Sequence, residues 1–213
     1  AVLAGLAAAG SAQAVHVNPD GLGQVLLYPY YTVQNGFDTY VHVVNTTDTV
    51  KAVKVRFLEG KNSKEVLDFN LYLSPRDEWT GVITKTDTGA KLTSADTSCV
   101  APASLAAGVD FRNFQYLDDA EALRTLERTR EGYIEVIEMG ELQNCPADGS
   151  AGTSCPATLA PATWATHVNG VPALCAGITG LWTSASSPWV QGFTSFLMSA
   201  PSGGLYGSSI IVN

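Results

Sequence analysis

Three runs within residues 40–75 alternate apolar and polar side chains with a period of two, and that period most restricts the folds open to this chain. Tyr40-Val41-His42-Val43-Val44 leads into the polar turn Asn45-Thr46-Thr47-Asp48. Val53-Lys54-Val55-Arg56-Phe57 comes next. After the turn residues Gly60-Lys61-Asn62-Ser63 the third run is Val66-Leu67-Asp68-Phe69-Asn70-Leu71-Tyr72-Leu73. Successive side chains of a strand point to opposite faces. Val53, Val55, Phe57, Leu67, Phe69, Leu71 and Leu73 are therefore expected on one buried face, with Lys54, Arg56, Asp68 and Asn70 towards water. Short strands joined by polar turns predict a mainly β protein, an antiparallel Ig-like β-sandwich.

The flanking chain reads as additions to that sheet. Asn18-Pro19-Asp20-Gly21 has type I turn chemistry. Val25, Leu26, Leu27 and Tyr28 form a strand that Pro29 confines to an edge or a kink, and Tyr30-Tyr31-Thr32-Val33 continue it. Asn35-Gly36 is a tight-turn signal. Further strands are expected over 79–83, 133–139 and 193–198, and a last one runs through Ile210, Ile211 and Val212. One short helix is expected over 118–130, where Asp118 and Glu121 resemble a capping box and arginines follow. Residues 84–108 read as a long loop. The expected organisation is one sandwich domain over 15–213, with loop-rich insertions at about 84–130 and 140–190.

Residues 1–14, AVLAGLAAAGSAQA, end on the small-x-small pattern Ala12-Gln13-Ala14. They are read as the remnant of a signal peptide, with an N-terminal docking segment as the rival reading. The run is too short to span a bilayer. Export makes two disulfides the expected state of Cys99, Cys145, Cys155 and Cys175. Three pairings are open, and chain order favours Cys99 with Cys145 and Cys155 with Cys175. No Cys-x-x-Cys occurs and no histidine stands at finger spacing from a cysteine, so no metal is expected. A formal net charge of -8 argues against a nucleic-acid partner, because nothing would neutralise phosphates.

The motifs of catalysis are missing. There is no Gly-x-Ser-x-Gly, His-Glu-x-x-His, Walker or dinucleotide fingerprint. Of His16, His42 and His167, His42 sits between Val41 and Val43 and is expected to face water. Asp77-Glu78 and Asp118-Asp119 read as turn and cap residues, since neighbours on a strand point apart. No enzyme activity and no cofactor are expected. The aromatics Tyr30, Tyr31, Trp182 and Trp189 are candidates for stacking on a glycan. Apolar strands at the chain ends are pairing hazards unless they meet a partner. Val25, Leu26, Leu27, Tyr28, Ile210, Ile211 and Val212 are thus the candidate subunit contacts, joined by strand addition.

Gly23-Gln24-Val25-Leu26-Leu27-Tyr28-Pro29-Tyr30-Tyr31, Val43-Val44-Asn45-Thr46-Thr47-Asp48, the run from Lys51 to Gly60, Leu71-Tyr72-Leu73-Ser74-Pro75 and Gly204-Leu205-Tyr206-Gly207 resemble uncharacterised secreted surface proteins of proteobacteria. The Asn45-Thr46-Thr47 corner is similar to Ig-like modules of bacterial surface and pilus systems. These are packing and turn motifs, so the resemblance implies fold and export and brings no catalytic residue. Taken together the expectation is a secreted structural protein, at the bacterial cell surface or outside it. It would self-associate into a homopolymer such as a filament or surface layer. A surface-displayed glycan- or matrix-binding adhesin module is the alternative.

Overall fold

A computed structural model describes residues 17–101, 107–148, 158–183 and 197–213, together with Leu105, Cys155 and Trp189. The N-terminal segment 1–14, His16 and most of the strand expected at 193–198 lie outside the described residues.

The alternating runs become strands, and the chain passes repeatedly between two antiparallel sheets. One sheet holds β1 (Val25–Thr32), β9 (Glu131–Leu142), β3 (Lys51–Glu59), β4 (Glu65–Leu73) and β7 (Cys99–Ala101), in that order, with β12 (Met198–Ser199) beside the end of β9. The other holds β13 (Leu205–Val212), β2 (Asp38–Asn45), β5 (Glu78–Lys85), β6 (Ala90–Thr93) and β8 (Val109–Asp110). β10 (His167–Val168) and β11 (Val171–Pro172) form a small separate hairpin. The three alternating runs therefore divide: β2 belongs to one sheet, β3 and β4 to the other. Asn45 makes the crossing possible. It is buried, its amide donates to the carbonyls of Thr49 and Ser74, and its oxygen accepts from the Thr47 N–H.

Val53, Val55, Phe57, Phe69, Leu71 and Leu73 fill the space between the sheets with Val41, Val43, Trp79 and Ile83, as the period of two predicts. Leu67 packs against that core from its margin. The outward polar residues pair across strands: Lys54 with Asp68, and Arg56 with Glu65 and Glu135 at 2.7 and 2.8 Å.

A second apolar cluster covers the outer face of the first sheet where the strands turn. Val50, Ala52, Tyr72, Leu142 and Met198 pack there against α1 (Pro161–Ala165) and α2 (Cys175–Thr183), which contribute Ala165, Ile178 and Leu181. Two disulfides staple this cap, Cys99 to Cys175 and Cys145 to Cys155. The pairing expected from chain order is therefore wrong. Cys175 opens α2, which docks on β7, so packing across 76 residues brings it to Cys99.

Two other expectations fail for physical reasons. The helix over 118–130 is replaced by three 3-10 turns, Phe114–Asp118, Glu121–Leu123 and Leu126–Arg130. Asp119 and Thr125 are extended and no side chain caps the turns. So short a helix is marginal in water, and Arg128 is drawn instead to Glu59, Asp119, the Leu123 carbonyl and the face of Tyr116. The loop expected over 84–108 contains β6 and β7.

Candidate assembly edges

An outer strand of a sheet has one unpaired side, and in an antiparallel pair alternate residues turn their N–H and C=O to it. β1 and β13 are the outer strands of the two sheets on one flank of the sandwich. The flank is pinned at one corner, where Gly23 and Leu205 exchange backbone hydrogen bonds of 3.0 and 3.1 Å between the sheets. Beyond it Tyr28 closes the gap: it is buried and its hydroxyl donates to the His42 carbonyl at 2.8 Å. Burial raises the Tyr28 phenol well above its ordinary range, with Tyr206 adding to it, so the hydroxyl stays a donor. Gly207 lies under this ring, and a Cβ there would collide with the Tyr28 oxygen.

β1 pairs with β9 from Val25 opposite Ile137 to Thr32 opposite Glu131, with a register shift between Tyr28 and Tyr31. The Glu138 backbone N–H donates to the Gln24 carbonyl, which sets the alternation: Leu26 and Tyr28 bond to β9, while Val25 and Leu27 turn their backbone groups outward. The same strand is interrupted. Pro29 has no N–H, the register slips there, and the outward N–H and C=O of Thr32 are both satisfied by the Thr39 hydroxyl.

β13 carries no such interruption. It pairs with β2 in unbroken register over eight residues, from Leu205 opposite Asn45 to Val212 opposite Asp38. Thr46 donates to the Gly204 carbonyl, so Tyr206, Ser208, Ile210 and Val212 bond to β2. Gly207, Ser209 and Ile211 turn their backbone groups outward, where no partner stands among the described residues. The strand contains no charged residue and no proline. Ile210, Ile211 and Val212 are exposed, Ile210 by 61%.

The segment entering β13 is held by a buried ionic network. Lys51 Nζ donates to Glu138 Oε1 and Glu141 Oε1, both at 2.8 Å, and to Ser202 Oγ at 2.7 Å. Glu138 accepts from the Ser202 and Gly203 N–H groups, and Glu141 from the hydroxyls of Thr49 and Ser202. The hydrogen bonds from Lys51 and Ser202 lower the Glu141 carboxyl to about 2. Neither the lysine nor its partners stand out in the sequence, because the network joins positions as much as 151 residues apart.

Val25, Leu26, Leu27, Tyr28, Ile210, Ile211 and Val212 thus lie on two neighbouring edges, with Leu26 and Tyr28 turned towards the core and the others exposed. The four stacking candidates are not brought together. Tyr31 is buried against Phe57 and Phe111, and Trp189 against Tyr72 and Trp182, so neither presents a face to a sugar. Trp182 is partly buried and donates its indole N–H to the Tyr72 hydroxyl; Tyr30 alone is well exposed. His42 does not simply face water either. Its Nδ1 lies 2.8 Å from Glu78 and its Nε2 2.7 Å from Ser208.

A polar cleft lined by Glu59, Lys61, Arg128, Arg130 and Glu131 has its acid and base already engaged with each other, Glu59 with Arg128. Burial pushes the Glu59 carboxyl up, but Arg128 and the N–H groups of Asn62, Lys61 and Lys64 together hold it below its ordinary value. No group of three or more metal-ligating side chains occurs among the described residues. None of the described helices is long and apolar enough to cross a membrane. Comparisons with protein-family models, curated proteins and solved structures return no match to this chain.

Proposed function

We propose that the protein is a secreted structural subunit that self-associates by strand addition at the outer edge of β13, as a building block of an extracellular filament or surface layer. One observation carries the reading: an eight-residue strand in regular register, free of charge, proline and bulge, ends its sheet with Gly207, Ser209 and Ile211 facing outward. Natural sheets guard such edges unless a partner covers them. A second copy is the occupant the edge suits, because an antiparallel pair centred on Ser209 sets Gly207 of each copy against Ile211 of the other. The outward backbone of Val25 and Leu27 on the same flank offers a second contact through which pairs extend into a polymer. Two disulfides agree with an oxidising compartment.

Sedimentation velocity and electron microscopy at micromolar concentration test this. The protein is expected to form dimers and larger species. Ser209→Pro removes only an outward N–H, so the fold stands while association falls at least about tenfold, one lost hydrogen-bond pair plus a steric block. Ile211→Lys has the same effect through charge. A protein that stays monomeric at every concentration, or association unchanged in both variants, removes the proposal.

A further inference from the structure

On the outer face of the β13 sheet, three strands set three side chains in line: Ser208 on β13 opposite His42 on β2, and Glu78 on β5 beside them. Ser208 Oγ lies 2.7 Å from His42 Nε2, and Glu78 Oε1 lies 2.8 Å from His42 Nδ1. A carboxylate only accepts, so Nδ1 carries the proton. In the neutral ring Nε2 is then the acceptor, and the Ser208 hydroxyl must donate to it. The Tyr206 ring meets the imidazole edge-on at 5.8 Å and fixes its plane. The imidazole and the carboxylate are 25% and 53% exposed, which leaves the row within reach of a reagent.

We propose that Ser208 is an activated hydroxyl that accepts acyl groups from activated donors such as aryl esters and thioesters, with His42 as its general base and Glu78 as a positioning residue. In the step, a bond forms between Ser208 Oγ and the acyl carbon, and the bond from that carbon to the leaving oxygen or sulfur breaks. The hydroxyl proton passes to His42 Nε2 and from there to the leaving group, giving acyl-Ser208 and a free phenol or thiol. The backbone N–H of Ser208 is committed to the β13–β2 ladder, so it adds no donor for the developing oxyanion. Reaction is thereby confined to activated donors and stops at the acylated serine. The inference is independent of assembly, since the side chain projects from the sheet face and the pairing edge is backbone.

The test is incubation of the intact protein with p-nitrophenyl acetate, following p-nitrophenolate release and mapping the acetyl group by peptide mass. About one equivalent is expected, carried by Ser208 and not by the adjacent Ser209. Ser208→Ala abolishes the burst. His42→Gln slows it on the order of a hundredfold, the lower end of what a general base supplies. Glu78→Gln slows it severalfold, and Glu78→Asp recovers part of the loss, which a purely structural carboxylate would not do. Sedimentation of Ser208→Ala is expected to match the parent protein. Acetyl groups spread over lysines, or a burst that survives Ser208→Ala, overturns the proposal. Labelling of the unaltered protein with a fluorophosphonate reads the same site without any variant, and failure to label Ser208 counts equally against it.

Discussion

β1 and β13 are neighbours on one flank, joined through Gly23 and Leu205, and both end their sheets, yet among the described residues only β1 is guarded. β1 loses a donor at Pro29, shifts register between Tyr28 and Tyr31, and has its outward Thr32 groups satisfied by Thr39. β13 keeps every donor, and its register is unbroken. The difference does not lie in burial, since Leu27 and Ile210 are comparably exposed, at 68% and 61%. It lies in the backbone. An exposed apolar side chain is ordinary at a protein surface, whereas a straight row of unpaired amides is a template.

The largest effect on this contrast is expected at Lys51. Lys51→Met leaves Glu138 buried without its cation and should cost about 3–5 kcal/mol in urea unfolding, releasing the entry to β13 while β1 keeps its place. Adding Glu138→Leu should recover only part of that loss, because it removes the bare carboxylate but leaves the Ser202 and Gly203 N–H groups without their acceptor. Next in size is Gly207→Val, which drives a side chain into Tyr28 and the His42 carbonyl and should cost about 1–3 kcal/mol. Leu27→Ala on β1 removes only exposed surface and should change stability by less than about 0.5 kcal/mol. Equal losses at these two positions would mean that Tyr28 does not pack on Gly207.

Acid comes third. Glu141 is held at about 2 against an ordinary 4.5, so its contribution is complete above pH 4.5 and is lost as pH falls from there towards 2. Stability should drop on the order of 1–2 kcal/mol over that window, and Glu141→Gln should flatten this limb of the pH profile. The smallest effect is at Pro29. Pro29→Ala restores a donor to β1 and should strengthen association by a few-fold at most, seen in sedimentation, because the register shift remains. No change in association would mean that the shift alone guards this edge.

The strands and their buried faces were legible because a period of two is a local signal: Val53, Val55 and Phe57 face inward whatever their partners are. Pro29 likewise announced an edge. Contacts set by long-range register were not legible. Ser208 meets His42 only once β13 is known to lie on β2, and Cys99 meets Cys175 only once α2 docks on β7. The arginines after Asp118 suggested a helix, but Arg128 serves Glu59 and Tyr116 in tertiary contacts that local propensity does not contain. Tyr31 and Trp189 show the same gap, because composition cannot say which aromatic rings fill a core.

Amide hydrogen exchange, resolved by residue and measured in dilute and in concentrated protein, tests the unguarded edge most directly. Tyr206, Ser208 and Ile210 should be protected in both samples, whereas Gly207, Ser209 and Ile211 should exchange freely when dilute and become protected on concentration. Outward amides already protected in the dilute monomer, or still unprotected in the polymer, would contradict the account.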